Sequence, residues 1–217
     1  MRSSILEKGE HYYTHMHKVF QVIENEQLKY NWLITNFECY PQDDEYAGLF
    51  SEEYVWISGN RLTEIIQKED FQFIWGVLSG FSKDVTLEEI LKHDFPLADE
   101  YEGFWVDDVK IQHPLADIEI VAWDSSLTLF ISKDDSLFNK FRKGFPLSED
   151  LSAQNLRNNS EIGHIQELMI QELTSRDIDI NDEILHQKYF IWNNLYSERK
   201  NLIEDSEILR YIRKIIN

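Results

Sequence analysis

FQFIWGVLSGF, residues 71–81, is the strongest strand pattern in this sequence. Its aromatic and β-branched side chains favour an extended strand. A strand that is apolar on both faces usually lies inside a sheet covered on both sides. The glycines at 76 and 80 predict a bulge or a close packing contact. Alternation predicts two opposite sets of side chains: Phe71, Phe73, Trp75, Val77 and Phe81 on one face, and Ile74, Gly76, Leu78 and Gly80 on the other.

Further elements follow on either side of this strand. YNWLITNFECY (30–40) and YVWIS (54–58) predict strands, and NRLTEIIQK (60–68) predicts a helix. Thr86, with Glu89 three positions later, predicts the capped start of a short helix. DIEIVAWDSSLTLFISKD (117–134) predicts a hairpin that turns at residues 124–126. The predicted pairs are Val121 with Leu129 and Trp123 with Leu127.

The two ends of the chain are predicted to be helical. Apolar spacing predicts a helix from Ser4 to Glu24, and the polar stretch 146–160 predicts a linker. The fold class is therefore α+β, with a largely antiparallel sheet flanked by helices. We predict an N-terminal helix at 1–27, an α+β body at 28–146, and a linker with a C-terminal helical region at 147–217.

Three apolar stripes mark the C-terminal helical region. They begin at Ile162, Ile184 and Ile208. Such stripes either close onto each other or form a seam between two copies of the chain. The middle stripe favours a homodimer most because it is rich in aromatic side chains: Tyr189, Trp192 and Tyr196.

The charge balance excludes several classes of partner. The chain has 40 acidic and 21 basic residues, a net charge of -19. Such a field repels nucleic acid and anionic membranes and attracts basic proteins, although solubility alone would also account for it. Two segments, 30–60 and 94–108, contain no Lys or Arg. Their acids are Glu38, Asp43, Asp44, Glu45, Glu52 and Glu53, and then Asp94, Asp99, Glu100, Glu102, Asp107 and Asp108.

The second acidic segment lies in HDFPLADEYEGFWVDD, residues 93–108. Aromatic residues surrounded by charges of one sign are typical of a protein-binding surface with electrostatic steering. In the alternative interpretation, Phe104 and Trp105 turn into the core and the acids are merely solvated. The candidate partner-binding residues are Asp99, Glu100, Tyr101, Glu102, Trp105, Asp107 and Asp108.

The histidine-rich stretch HYYTHMHK, residues 11–18, suggests a second function. On a helix, His11 and His15 lie one turn apart and could bind one metal ion. A catalytic zinc site generally has three protein ligands, and the usual His-Glu-x-x-His motif is absent because Tyr12 follows His11. A metal-dependent hydrolase that uses His11 and His15 is therefore the alternative to a non-catalytic binding protein, for which no cofactor is predicted.

Other catalytic motifs are missing from the sequence. It contains no Gly-x-Ser-x-Gly elbow and no phosphate-binding loop. The single cysteine, Cys39, lies in an apolar run and predicts a buried structural thiol. No stretch approaches the roughly 18 apolar residues of a membrane span, and the start of the chain has no secretion segment. We therefore expect a cytoplasmic protein.

Four segments carry a resemblance to known proteins: YNWLITNFE (30–38), YVWISGNRLTEII (54–66), FQFIWGVLSGF (71–81) and IEIVAWDSSLTLFISKDD (118–135). Residues 28–146 resemble small uncharacterised α+β proteins of Bacillus-type bacteria. They are also similar to immunity proteins that neutralise polymorphic toxins. The chain departs from these small proteins at both ends. The resemblance implies a cytoplasmic, non-catalytic inhibitor or regulator whose partner is a basic protein, such as a toxin.

Overall fold

The strand predicted at 71–81 is observed at 73–82, in the interior of an antiparallel sheet. The structure, a computed structural model, describes residues 1–176 and 204–216 of the chain. Across these residues, seven strands form one sheet in the order β3-β2-β4-β5-β6-β1-β7, and neighbouring strands are antiparallel. The strands are β1 (Arg2–Leu6), β2 (Tyr30–Cys39), β3 (Val55–Ser58), β4 (Phe73–Ser82), β5 (Ile118–Trp123), β6 (Leu127–Ser132) and β7 (Glu149–Asp150).

The helices confirm the predicted α+β class and the C-terminal helical region. The predicted helix cap at Thr86 is present, because its hydroxyl and Glu89 form a capping box. No helix in the described parts of the chain is long and apolar enough to cross a membrane. The described helices are α1 (Met16–Val22), α2 (Asp44–Leu49), α3 (Gly59–Lys68), α4 (Leu87–Ile90), α5 (Asp135–Gly144), α6 (Leu151–Ser175) and α7 (Asp205–Ile216), with 3-10 turns at Glu26–Lys29 and Glu102–Trp105.

Both faces of β4 are buried, as its sequence predicts. On one face, Leu78 belongs to an apolar cluster that includes side chains from α1, α3 and α5. On the other face, Val77 and Phe81 belong to a second cluster. That cluster is completed by the connection between β4 and β5, residues 83–117, which we call the covering segment.

The predicted alternation holds from Trp75 to Phe81 and is wrong at Phe71 and Phe73. These two phenylalanines lie in the cluster on the helix-covered face. The cause is an irregularity in the pairing of β2 with β4: from the Glu38–Trp75 pair to the Cys39–Phe73 pair, β2 advances one residue while β4 advances two. Close to this irregularity, the carbonyl oxygen of Ile74 accepts a hydrogen bond from the Ser125 amide at 2.9 Å.

The hairpin of β5 and β6 has the predicted register. Val121 pairs with Leu129, and Trp123 pairs with Leu127. Asp124 and Ser125 have positive φ angles of 45° and 56°. The register leaves three residues, 124–126, in the loop, and the Ser126 amide closes the turn by donating to the carbonyl oxygen of Trp123 at 3.0 Å.

The predicted helix from Ser4 to Glu24 is wrong over its first part. Residues 2–6 form β1, which pairs with β6 and β7. Ile5 and Leu6 are both buried, but in opposite clusters. Consecutive residues of a strand point to opposite faces of a sheet, so both side chains are buried when both faces of the sheet are covered. In a helix, only the side chains on one face would be buried against the core. The helix is confined to Met16–Val22.

The predicted linker at 146–160 is also wrong. Its residues form β7 and the start of α6, where the Asp150 carboxylate accepts a hydrogen bond from the Ala153 amide at 2.9 Å. Leu151 is buried in the second cluster. The polar composition suggested a linker, but these polar groups cap the helix and bond to neighbouring chain segments.

The contacts within the chain divide it into two units, residues 1–155 and 156–217. In the second unit, Glu172 accepts hydrogen bonds from Arg176 at 2.9 Å and from Arg213 at 3.0 Å. The first and third predicted stripes contribute buried side chains there. The middle stripe, with Tyr189, Trp192 and Tyr196, lies outside the described residues, so the homodimer stays a prediction. The buried side chains from the two described stripes are Ile165, Leu168, Met169, Leu173, Ile208 and Ile212.

We predict that Gly80→Ala destabilises the protein. A Cβ atom at this position would lie 2.6 Å from Cγ2 of Ile118 and 3.2 Å from the Trp32 ring. Overpacking of this kind costs about 1–3 kcal/mol of the free energy of unfolding. Urea unfolding measures the loss. Gly48→Ala is the control, because a Cβ atom there meets nothing within 4 Å. Equal stabilities of the two variants would contradict the close packing of β4.

Candidate functional site

The covering segment is packed against the sheet for most of its length. Phe104, at 0% exposure, confirms that one aromatic side chain of the acidic stretch turns into the core. Because so much of the segment is buried, its backbone N–H and C=O groups require hydrogen-bond partners. Its side chains in the second cluster are Ile90, Ala98, Phe104, Val109, Ile111 and Ala116.

Side chains of β2 supply several of these partners. The Thr35 hydroxyl donates a hydrogen bond to the carbonyl oxygen of Pro96 at 2.7 Å. Oδ1 of Asn36 accepts hydrogen bonds from the amides of Ala98 at 2.7 Å and Asp99 at 2.9 Å. Asn36 has a φ of 45°, a left-handed conformation that asparagine adopts more readily than most residues. Asp99 is thereby fixed beside β2.

A cavity of about 340 Å³ lies where the covering segment meets β2, and we call it the acidic cleft. It brings together the two sequence segments that lack Lys and Arg. Among the described residues that line it, none is basic, and none of its carboxylates forms an ion pair with a described Lys or Arg. The described lining residues are Asn36, Phe37, Glu38, Glu52, Glu53, Trp75 and Asp99.

A group of aromatic rings adjoins the acidic cleft. The Trp75 ring centroid lies 4.9 Å from that of Trp123, which in turn lies 5.0 Å from that of Trp105. Tyr101 packs edge-on against Phe104, with a centroid distance of 4.8 Å. Trp75, Tyr101 and Trp105 are half-buried against the second cluster, so part of each ring remains accessible.

The predicted partner-binding residues divide into three groups. Asp99 lines the acidic cleft, and Glu100 and Glu102 are exposed close to it in the chain. Tyr101 and Trp105 contribute to both the core and the surface. Asp107 and Asp108 are exposed further along the segment, where Asp108 forms an ion pair with Lys110 at 3.1 Å.

The sequence alone did not identify four of the residues that line the acidic cleft: Glu38, Glu52, Glu53 and Trp75. The absence of basic residues from segment 30–60 was a visible signal. However, that segment and the covering segment meet through the pairing of β2 with β4 and through the side chain of Asn36. Neither contact can be read from one local pattern.

The histidine-rich stretch does not form the predicted helical pair. His15 precedes α1 and forms an isolated bridge with Gln72, so His11 and His15 are not one helical turn apart. Nδ1 of His15 lies 2.7 Å from the carbonyl oxygen of Asp70. In residues 1–176 and 204–216, no group of three or more His, Cys, Asp or Glu side chains is placed to hold a metal ion.

Cys39 is buried, as predicted for a structural thiol. Burial raises the pKa of its thiol to about 12. The thiolate is the reactive form of cysteine, so Cys39 is a poor nucleophile at neutral pH.

A family model described as "Protein of unknown function (DUF2691)" matches residues 1–111 of the 217-residue chain. The chain belongs to this family. No curated protein and no solved structure matches it. In this DUF2691 member, the matched region extends from β1 into the covering segment and includes the described lining of the acidic cleft.

We predict that the acceptor oxygen of Asn36 stabilises the covering segment. Asn36→Gly permits the positive φ angle but leaves the Ala98 and Asp99 amides without this partner, and we expect a loss of about 1–3 kcal/mol. Asn36→Asp retains both an acceptor oxygen and tolerance of the left-handed conformation, so it should lose less when high salt screens its added charge among the carboxylates of the cleft. Urea unfolding compares the variants. A Gly variant as stable as the Asp variant would contradict this role.

Proposed function

We propose that this DUF2691 member is a non-catalytic, cytoplasmic protein-binding module that uses the acidic cleft and the adjoining residues of the covering segment. Its partner is a basic protein, and binding would block the partner by steric and electrostatic means. The observation that carries this proposal is the cleft itself, where Glu38, Glu52, Glu53 and Asp99 line one cavity without a described basic residue.

Electrostatics supports a positively charged partner. Carboxylates gathered in a concave site focus their field, which raises the local concentration of oppositely charged groups and their association rate. Since the described part of the chain provides no Lys or Arg to neutralise the cleft, a basic side chain of another protein would gain these contacts.

The aromatic lining supports a lysine or, better, an arginine side chain. Phe37 and Trp75 form part of the cleft wall. A guanidinium group stacks on aromatic faces and bonds to carboxylates through a planar fork of N–H donors. The neighbouring Trp105 and Trp123 offer further apolar area for residues that flank the basic side chain.

The resemblance of residues 28–146 to immunity proteins supports an inhibitor more than a scaffold. Immunity proteins neutralise toxins by binding, and a toxin with a basic surface is the partner that this reasoning suggests. The buried cysteine and the lack of catalytic motifs are compatible with a binding protein in a reducing compartment.

We expect the variant E52Q/E53Q/D99N to lose the partner while the fold is retained, because the substitutions remove charge and preserve shape. In affinity capture from the host lysate, the wild-type protein should retain a basic protein that dissociates at high salt. With the purified partner, association should be slowed on the order of 10-fold in the variant. Surface plasmon resonance measures that rate.

The matched control is D84N/E88Q/D135N, which makes the same change in net charge at exposed positions outside the described lining of the cleft. It should bind like the wild type. Equal slowing by both variants would mean that overall charge, and not the cleft, drives association. Binding that neither variant weakens would contradict the proposal.

A further inference from the structure

Glu119 on β5 is a buried carboxyl group between the sheet and the covering segment, and it is 0% exposed. Its Oε1 accepts hydrogen bonds from the His113 amide at 3.0 Å and from the Ser79 hydroxyl at 3.3 Å. Its Oε2 accepts a hydrogen bond from the Gln112 amide at 2.9 Å. One carboxyl group therefore joins β4, β5 and the covering segment.

His113 is a second buried polar group in the same place, also 0% exposed. Nε2 lies 3.2 Å from the carbonyl oxygen of Ile90, and Nδ1 lies 3.2 Å from the Leu115 amide, which donates to it. Nδ1 must therefore carry a lone pair, so the proton sits on Nε2 and is donated to Ile90. This arrangement requires a neutral imidazole.

We propose that Glu119 and His113 form a proton-linked latch, which holds the covering segment to the sheet most tightly when the carboxyl group is protonated and the imidazole is neutral. Glu119 of β5 accepts hydrogen bonds from the covering segment, and the His113 ring, which bonds within that segment, packs edge-on against Phe81 of β4 at a centroid distance of 4.8 Å. A change in the charge of either group therefore alters how firmly the segment is held to the sheet. The surface of the segment carries Asp99 and its acidic neighbours.

The surroundings of the two groups favour their uncharged forms. Burial raises the pKa of Glu119 to about 7, although its hydrogen-bond donors and the charge of Lys133 act in the opposite direction. Burial also lowers the pKa of His113, and positive charge on His93 or Lys133 adds to this effect. Tyr101 of the covering segment also faces Glu119, and burial together with that carboxylate raises the pKa of its phenol.

The Ser79 hydroxyl allows the site to accept the proton. A hydroxyl group can donate to a carboxylate, and after rotation it can accept from a carboxylic acid. The Gln112 and His113 amides can remain bonded to the oxygen lone pairs in both states. Proton uptake at Glu119 therefore removes a buried charge while both oxygens of the carboxyl group keep a hydrogen bond.

The sign of the pH dependence follows from linkage. The pKa of Glu119 is raised from 4.5 to about 7, so its contribution to stability is fully present below pH 4.5 and is lost as the pH rises through 7. The pKa of His113 is lowered from 6.5, so its contribution is present above pH 6.5 and is lost as the pH falls through its folded-state pKa. The two groups therefore act in opposite directions.

The test is urea unfolding of the full chain between pH 4.5 and pH 8, comparing the wild type with Glu119→Gln. Over this range, the unfolding equilibrium constant of the wild type should rise on the order of 100-fold relative to that of the variant. The control is Glu88→Gln, at a covering-segment glutamate whose side chain is 90% exposed. Its pH profile should parallel that of the wild type.

A loss of stability in Glu119→Gln that is equal at every pH would reveal a structural role without proton linkage, and would overturn the latch. If this variant fails to fold, NMR of the wild type tests the protonation of Glu119 instead. A Glu119 carboxyl carbon that titrates near pH 7 supports the proposal, and one that titrates near pH 4.5 overturns it. At pH 6.5, the His113 ring should be neutral, with its proton on Nε2. A doubly protonated ring at this pH would contradict the proposed role of His113.

Discussion

Both faces of β4 are apolar and must be removed from water, and this constraint determines what packs around the strand. Helices α1, α3 and α5 contribute to the cover on one face. On the other face, the cover is an extended connection that contains little regular secondary structure. A connection in this position cannot be a loose surface loop, because its apolar side chains complete the core and its backbone polar groups are drawn away from water.

This constraint connects the fold to the candidate site. The backbone of the covering segment bonds to Asn36 of β2, Glu119 of β5 and Asn155 of α6, whose amide group donates to two of its carbonyl oxygens at 2.8 Å. The bonds to Asn36 hold Asp99 against β2, where the acidic cleft forms. The exposed acids therefore stand on a backbone that is fixed by buried interactions, which reduces the entropy lost when a partner binds.

The sequence was informative where one local pattern determines the result. The Trp123–Leu127 pairing follows from alternation around a turn that Asp124 and Ser125 can adopt, and the burial of β4 follows from its composition. The sequence was misleading where contacts between residues far apart in the chain determine the local structure. Ser4, Ile5 and Leu6 become a strand because β6 and β7 lie on either side of them, and Phe73 changes face because of an irregularity in strand pairing. For the same reason, Asp99 could be proposed from sequence, while its neighbours Glu38, Glu52 and Glu53 required the tertiary structure.

We claim that the covering segment belongs to the folded core of the sheet. Hydrogen exchange measured by NMR tests it most directly at the amides of Ala98, Asp99, Gln112 and His113, which bond to side chains of β2 and β5. If the claim is correct, these amides exchange within about tenfold of the rates in β4, because they open in the same cooperative unit. Exchange of these four amides at the rates of an unstructured chain, while the amides of β4 stay protected, would contradict it.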